Sequence, residues 1–184
     1  MVNIQKIYGN KIYFHNGLII TLSKDIIIKY GLNEREQLSQ EEYLKILEIA
    51  ALSLSYYLLS KKDYCEKDLR EKLYNKYLNK IVVSRVLEIL REKGYLDDLE
   101  YAKSYINTHN YSKAKLKYML KQKGISDEVI EELLENQKEK ELENLKREYK
   151  KVKGRDKDKQ IASLMRKGFC YGDIKKIIEE NQED

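Results

Sequence analysis

Residues 63–98, DYCEKDLREKLYNKYLNKIVVSRVLEILREKGYLDD, decide the fold. Leu69, Leu73 and Tyr77 recur every fourth position, which places them on one face of a helix. Val83, Val86, Leu87 and Leu90 follow the i, i+3, i+4, i+7 pattern of a second apolar helical face. Two amphipathic helices with a short break are predicted. Asp63, with Glu66 three positions on, reads as a capping pair for the first helix. Gly94 reads as the stop of the second, because a left-handed residue ends a helix and glycine tolerates it best.

The same pattern returns further along. A shift of 47 places Asp63 on Asn110, Leu69 on Leu116, Leu73 on Leu120, Val83 on Ile130 and Val86-Leu87 on Leu133-Leu134. A further shift of about 45 places Leu116 on Ile161, Leu120 on Met165, Gly124 on Gly168, Val129-Ile130 on Asp173-Ile174 and Leu133-Leu134 on Ile177-Ile178, with only the Val129 match failing. A period of this length marks a helical repeat whose units bury their apolar faces against one another. The predicted fold is mainly α, with tandem three-helix repeats in an elongated array and a small N-terminal antiparallel β element. The predicted segments are the β-rich element 1–36 and three-helix repeats at 39–97, 98–141 and 142–184.

In residues 4–29, short β-branched or aromatic runs (12–14, 18–22 and 26–28) alternate with the turn residues Gly9-Asn10, Asn16-Gly17 and Ser23-Lys24-Asp25. They read as three or four strands, too few to stand without a helix beneath them. Residues 31–38 read as a connector, and Ser39 with Glu42 as a capping box for a helix over about 40–60. Asn110 and Ser126 are the expected caps in the second repeat. The helix starting at Ser126 is expected to run on through residues 137–143, where nothing breaks it. In the third repeat the break falls at Lys153-Gly154-Arg155, the second helix near 158–167 and the last near 172, fraying at 181–184.

The chain of 184 residues is 36% charged and 42% hydrophobic, with no proline and sixteen tyrosines. That balance suits a thin, edge-rich helical array, where tyrosine buries its ring and keeps its hydroxyl wet. The net charge of +5 gathers at the two ends, with +2 in residues 1–38 and +3 in 142–184, the middle being balanced. Cys65 and Cys170 stand far apart, as free thiols in a reducing cytoplasm would. Neither a signal-peptide pattern nor an apolar run approaching about 20 residues is visible, so a cytoplasmic protein with no membrane partner is expected. The polar outer faces favour a monomer.

Nothing in the chain points to catalysis. His15 and His109 lack metal or triad partners at suitable spacing, and neither GxGxxG nor GxxxxGK[ST] occurs, so no enzyme, metal or cofactor is expected. Asp97-Asp98 reads as negative charge at a helix start. The informative feature is basic. Lys113, Lys115, Lys117, Lys121 and Lys123 fall within eleven residues containing no acid, with Tyr111 and Tyr118 nearby. Lys146, Arg147, Lys150, Lys151, Lys153, Arg155, Lys157 and Lys159 meet three acids, a net +5 over fourteen residues. Such clusters neutralise phosphates or match an acidic protein groove. Partner or DNA contact is expected at Lys113, Lys115, Lys117, Lys121, Lys123, Arg147, Lys150, Lys151, Lys153 and Arg155. The third helices carry Glu and Lys outside, which disfavours base-specific reading.

The runs YLLSKKDYCEKDLREKL (57–73), EILREKGYLDDLEYAKSYI (88–106) and KLKYMLKQKGISDEVIEELL (115–134) resemble the RecX family, regulators of the RecA recombinase. The resemblance covers roughly Glu48 to the C-terminus, and Gly94-Tyr95-Leu96-Asp97-Asp98 and Lys123-Gly124-Ile125 are its most specific steps. Lys29-Tyr30-Gly31-Leu32 resembles the longer members. The resemblance implies a modulator, chiefly an inhibitor, that binds in the groove of the RecA–DNA filament and lowers ATPase, strand-exchange and co-protease activity. It implies no catalytic residues. The β-rich N-terminus is expected to add a contact with DNA or a second filament subunit. The alternatives are a helical protein binding single- or double-stranded DNA non-specifically without RecA, and an adaptor for an unrelated partner.

Overall fold

The computed structural model describes residues 1–135 and 138–181. Among these residues it is mostly helical, with ten α-helices and one four-stranded antiparallel sheet. Residues 1–97 form one compact unit and residues from 98 onward a second.

In the first unit, β1 (Val2–Tyr8), β2 (Lys11–Phe14), β3 (Ile19–Thr21) and β4 (Gln37–Leu38) pair in the order β3-β2-β1-β4. Alternation along the strands turns Ile4, Ile12, Phe14 and Ile20 to one buried face. That face shares its core with helix α2 (Gln40–Leu59), where Phe14 meets Tyr43 edge-on with ring centroids 5.1 Å apart. The run 26–28, expected as a strand, lies in a short helix, α1 (Lys24–Lys29). Ser23 caps it by accepting the Ile26 N–H, and of the three isoleucines only Ile27 is buried, Ile28 being 71% exposed. Three β-branched residues are too few for periodicity to separate helix from strand, and the cap decides. The fourth strand comes instead from the expected connector, where Gln37 and Leu38 pair with Asn3 and Val2. A 3-10 turn over Leu32–Glu34 buries Leu32 in the same segment.

The capping box of α2 is present in both directions. Ser39 Oγ accepts the Glu42 N–H at 3.1 Å, and the Ser39 N–H donates to Glu42 Oε2 at 2.8 Å. Arg35 grips the same carboxylate with both terminal nitrogens, at 2.7 and 2.9 Å. The Arg35 bond, then those of Ser39, hold the Glu42 carboxyl at about 2. Helices α3 (Glu66–Tyr77) and α4 (Lys80–Glu92) follow, burying Leu69, Leu73, Tyr77, Val83, Val86, Leu87 and Leu90. The expected cap Asp63 is not used. Cys65 holds the N-cap position of α3 with its thiol fully buried and makes no capping bond, so packing rather than capping places that helix start. Gly94 stops α4 at φ 71.

The second unit contains α5 (Asp98–Thr108), α6 (Lys113–Gln122) and α7 (Asp127–Leu134), then α8 (Lys138–Lys150), α9 (Lys157–Arg166) and α10 (Tyr171–Glu180). Ala102, Ile106, Leu116, Leu120, Ile125, Ile130 and Leu134 form one core cluster. Leu145, Tyr149, Val152, Leu164, Phe169, Ile174, Ile177 and Ile178 form another. Helix α7 does not run on through 137–143. It ends at Leu134, and α8 starts at Lys138 and feeds a different core; residues 136 and 137, like the C-terminal residues 182–184 expected to fray, lie outside the described residues. Ser126 caps α7 as expected, but α6 is capped by Ser112, whose side chain accepts the Lys115 N–H. Asn110, the expected cap, points its amide at Glu148 instead.

One core assignment also moves. Met165 is 52% exposed, whereas Leu164 is fully buried. The last repeat therefore keeps a uniform shift of 44 from the second: Leu120 maps to Leu164 and Leu116 to Gln160, which is buried despite being polar. A glutamine in an apolar slot made the reading slip by one residue.

Candidate partner and nucleic-acid surface

The two lysine runs fold into different electrostatic settings. The first lies on α6, whose Leu116 and Leu120 face the core. The acid-free run of the sequence is not acid-free in space, because α7 brings carboxylates to it. Lys117 binds Glu131, and Lys121 Nζ lies 2.7 Å from Asp127 Oδ1. The hydrogen bond to Glu131, with its charge, raises the Lys117 ammonium and lowers the Glu131 carboxyl. Lys115 lies near the exposed ring of Tyr118, with Nζ 5.9 Å from its centroid. The Lys113 N–H donates to Glu141 Oε1 at 3.1 Å. Lys123 caps the C-terminus of α6 through its backbone; burial and then Tyr111 raise the Tyr105 phenol, and the Lys123 charge offsets only part of that rise.

The second run lies on α8, the following turn and the start of α9. Leu145 and Tyr149 turn one face of α8 inward and Val152 in the following turn joins their core, while Lys146, Lys150 and Lys153 are exposed. Arg147 pairs with Glu143 at 2.6 Å and Lys151 with Glu148 at 2.6 Å. Lys146, Lys150, Lys153, Arg155, Lys157 and Lys159 are all exposed and form no ion pair among the described residues. Six uncompensated cations in fourteen residues leave this run with the larger unanswered positive charge of the two.

Gln160 supports it and was not singled out from the sequence. Its amide donates to the carbonyls of Lys153 at 2.9 Å and Arg155 at 2.7 Å, so it ties the basic turn to the core. Its Oε1 is buried without a hydrogen-bond partner among the described residues. A polar residue in an apolar repeat position was the available signal.

The runs are joined through a polar junction around Glu148, whose side chain is 4% exposed. It accepts from Asn110 Nδ2 at 3.1 Å and pairs with Lys151 at 2.6 Å and Lys167 at 3.0 Å. Burial alone would raise this carboxyl; the bonds from Lys151, Asn110 and Lys167 outweigh it and hold it below the usual range. Beside it the Ser112 N–H donates to the Lys167 carbonyl at 3.1 Å, and Lys167 Nζ lies 5.4 Å from the Tyr111 ring centroid.

A third cationic cluster escaped the sequence reading because its neighbours cancel it. Residues 70–85, the end of α3 and start of α4, carry five basic side chains and one acidic one, inside a stretch that is neutral as a whole. No group of His, Cys, Asp and Glu suited to a metal occurs among the described residues. No helix among them is long and apolar enough to cross a membrane.

Known proteins resemble this chain along most of its length. A family model described as "RecX, second three-helix domain" matches residues 97–134. "Regulatory protein RecX" of Streptococcus pneumoniae (strain ATCC 700669 / Spain 23F-1) is 35% identical over 180 residues, covering 90% of this chain and 70% of the relative. The protein of that name from strain CGSP14 is 35% identical over 174 residues, 86% of this chain and 67% of the relative. A crystal structure of regulatory protein RecX aligns with a TM-score of 0.52 at 22% identity, over 98% of this chain and 97% of that one. The crystal structure of RecX from Lactobacillus salivarius aligns with a TM-score of 0.55 at 23% identity, over 76% of this chain and 99% of that one. These two likenesses show a shared fold.

Proposed function

The chain belongs to the RecX family, and from that premise we propose that it is a non-enzymatic modulator, chiefly an inhibitor, of the RecA recombinase. It binds in the groove of the RecA–DNA filament as a cytoplasmic monomer and lowers ATP hydrolysis, strand exchange and co-protease activity. The observation that carries this reading beyond family membership is the uncompensated patch at Lys146, Lys150, Lys153, Arg155, Lys157 and Lys159. A filament groove presents DNA phosphates and protein carboxylates side by side, and this patch suits both. Of the residues singled out by charge, Lys150, Lys153 and Arg155 make the main contact. Arg147 and Lys151 flank them, and Lys113, Lys115, Lys117, Lys121 and Lys123 contribute less because α7 already answers part of their charge. The helical segments 39–97, 98–141 and 142–184 act as linked contact modules, so individually weak contacts gain through effective concentration.

The same patch favours one other reading, a protein that binds bare DNA without RecA. DNA-dependent ATP hydrolysis by the RecA of the same cell, titrated with this protein, separates the two when bare-DNA binding is measured in the same buffer. Hydrolysis falls at concentrations where bare DNA is scarcely bound if the filament is the target. Unchanged hydrolysis with tight, steeply salt-dependent DNA binding overturns the filament reading.

A further inference from the structure

Between α3 and α4 the backbone adopts a conformation that suits glycine, and the residue there is leucine. Leu78 has φ 50, alone among the described non-glycine residues in being positive. A left-handed turn is unfavourable for a side chain bearing a Cβ. Leu78 is also 74% exposed, so its side chain gains little from the core in return. Ile81, three positions on, is 58% exposed, and Tyr74 is exposed as well. Beside them lies an open cavity of about 300 Å³, lined by Arg70, Glu71, Tyr74, Lys80, Val83 and Ser84. The surrounding residues 70–85 carry a net +4. Arg70 is answered by Glu66 and Arg85 by Glu48 at 4.0 Å, but Lys72, Lys76 and Lys80 form no ion pair among the described residues.

We propose that this α3–α4 corner docks on an acidic protein surface that has an apolar slot, with Leu78 and Ile81 entering the slot and Lys72, Lys76 and Lys80 facing its carboxylates. Backbone strain, exposed aliphatic groups and unanswered charge lie within the ten residues 72–81, and each is unfavourable or neutral for the free chain. A partner of this chemistry uses all three: the aliphatic groups leave water and the lysines gain counter-charges. Nucleic acid is the poorer fit, because phosphates offer nothing to leucine and isoleucine, and bases are held by aromatic rings rather than aliphatic knobs. A second copy is poorer still, since a two-fold contact would set one basic rim against another.

This inference deepens the filament reading and rests on it, so the RecA–DNA filament is the binding partner in the test. Leu78→Gly removes the knob and relieves the backbone. Its thermal midpoint is expected to stay or rise while filament affinity falls about tenfold, as removal of one well-buried leucine would give, with bare-DNA affinity unchanged. Lys76→Glu with Lys80→Glu is expected to lower filament affinity further at low salt than at high salt. Failure of the unaltered protein to bind the filament overturns the filament reading and this inference with it. Equal filament affinity for the unaltered protein and Leu78→Gly overturns the docking site alone. It is also overturned if Leu78→Gly loses bare-DNA affinity in parallel, lowers the thermal midpoint, or dissolves a dimer seen by sedimentation velocity. Those results would make the corner a DNA contact, a core element or a self-association face.

Discussion

Replacing Gly168 with alanine should cost far more than its place in a surface turn suggests. Gly168 follows α9 at φ 89, and a Cβ there would lie 2.4 Å from Ser112 Oγ and 2.7 Å from Lys115 Cβ. Ordinary carbon contacts begin near 3.5 Å. Neither neighbour can simply move aside. Ser112 Oγ caps α6 by accepting the Lys115 N–H at 3.1 Å, and Lys115 Cβ is fixed to the helix backbone. The left-handed backbone costs an alanine about 1–2 kcal/mol. Forced overpacking adds about 1–3 kcal/mol, and turning the serine away forfeits a cap worth about 1 kcal/mol. A total of about 3–6 kcal/mol follows. Gly94→Ala is the control, because φ is 71 there but nothing lies within 4 Å of the added Cβ, and it should cost only the backbone share of about 1–2 kcal/mol. Urea unfolding, with hydrogen exchange at Leu116 and Leu120 reporting on the second unit, measures both. In a double-mutant cycle, Ser112→Ala should cost at least about 1 kcal/mol less beside Gly168→Ala than alone, because removing Oγ opens room. Equal costs for the two glycine changes, or strict additivity in the cycle, would refute the close approach.

Glu148 has a folded pKa below its ordinary value, so its stabilising contribution is present above the unfolded pKa of about 4.3 and is lost as pH falls through the depressed value. Glu148→Gln should therefore flatten the acid side of the second unit's stability profile, and urea midpoints at a series of pH values below about 4.3 check this; an unchanged slope refutes it. Neutralising Lys150, Lys153 and Arg155 to glutamine should lower the salt dependence of DNA or filament binding by about one unit of slope for each phosphate-binding cation removed. The same change at Lys117 and Lys121 should do less, because Glu131 and Asp127 already hold them; equal effects in salt titrations count against the electrostatic ranking. Gln160→Leu removes an unpartnered buried acceptor and two donated bonds together, so the thermal midpoint should change little. Exchange of the Arg155 amide should nevertheless quicken about tenfold as the turn loosens, and an unaltered rate shows that Gln160 does not hold it.

Periodicity made most of the helical fold legible. Leu69, Leu73 and Tyr77 are buried on α3 and Val83, Val86, Leu87 and Leu90 on α4, as their spacing requires, and the Ser39–Glu42 box closes as its residues imply. Three of the misreadings share a cause: each concerns a residue whose partner is remote in sequence or whose chemistry breaks its pattern. Asn110 looks like a cap until Glu148, thirty-eight positions away, takes its amide. Cys65 sits at an N-cap that its thiol does not serve, because the side chain is committed to the core. Gln160 holds a leucine position of the repeat, so the apolar pattern slips onto Met165. For the short run 26–28 the deciding signal was the serine before it rather than the isoleucines within it.

Charge obeys a different logic from burial. A buried stripe is defined by residues on the same helix, so a one-dimensional pattern can find it. An anion-binding surface is defined by the difference between cations and whatever acids fold against them. The acid-free run on α6 is partly answered by α7, whereas the acid-containing run on α8 keeps six unanswered cations because Glu148 is buried in the junction and Glu143 is engaged by Arg147. The α3–α4 corner is the limiting case, since counting over 39–98 returns zero although residues 70–85 carry +4. The sheet adds a related constraint. Its inward residues share one core with α2, α3 and α4, so removing residues 1–36 would strip Phe14 from Tyr43 and unsettle the helices as well as any contact the strands make. A role for the N-terminal element is better tested by changing outward residues such as Lys6 and Tyr13, where Nζ stands 5.0 Å from the ring centroid, and leaving Ile12, Phe14 and Ile20 in place.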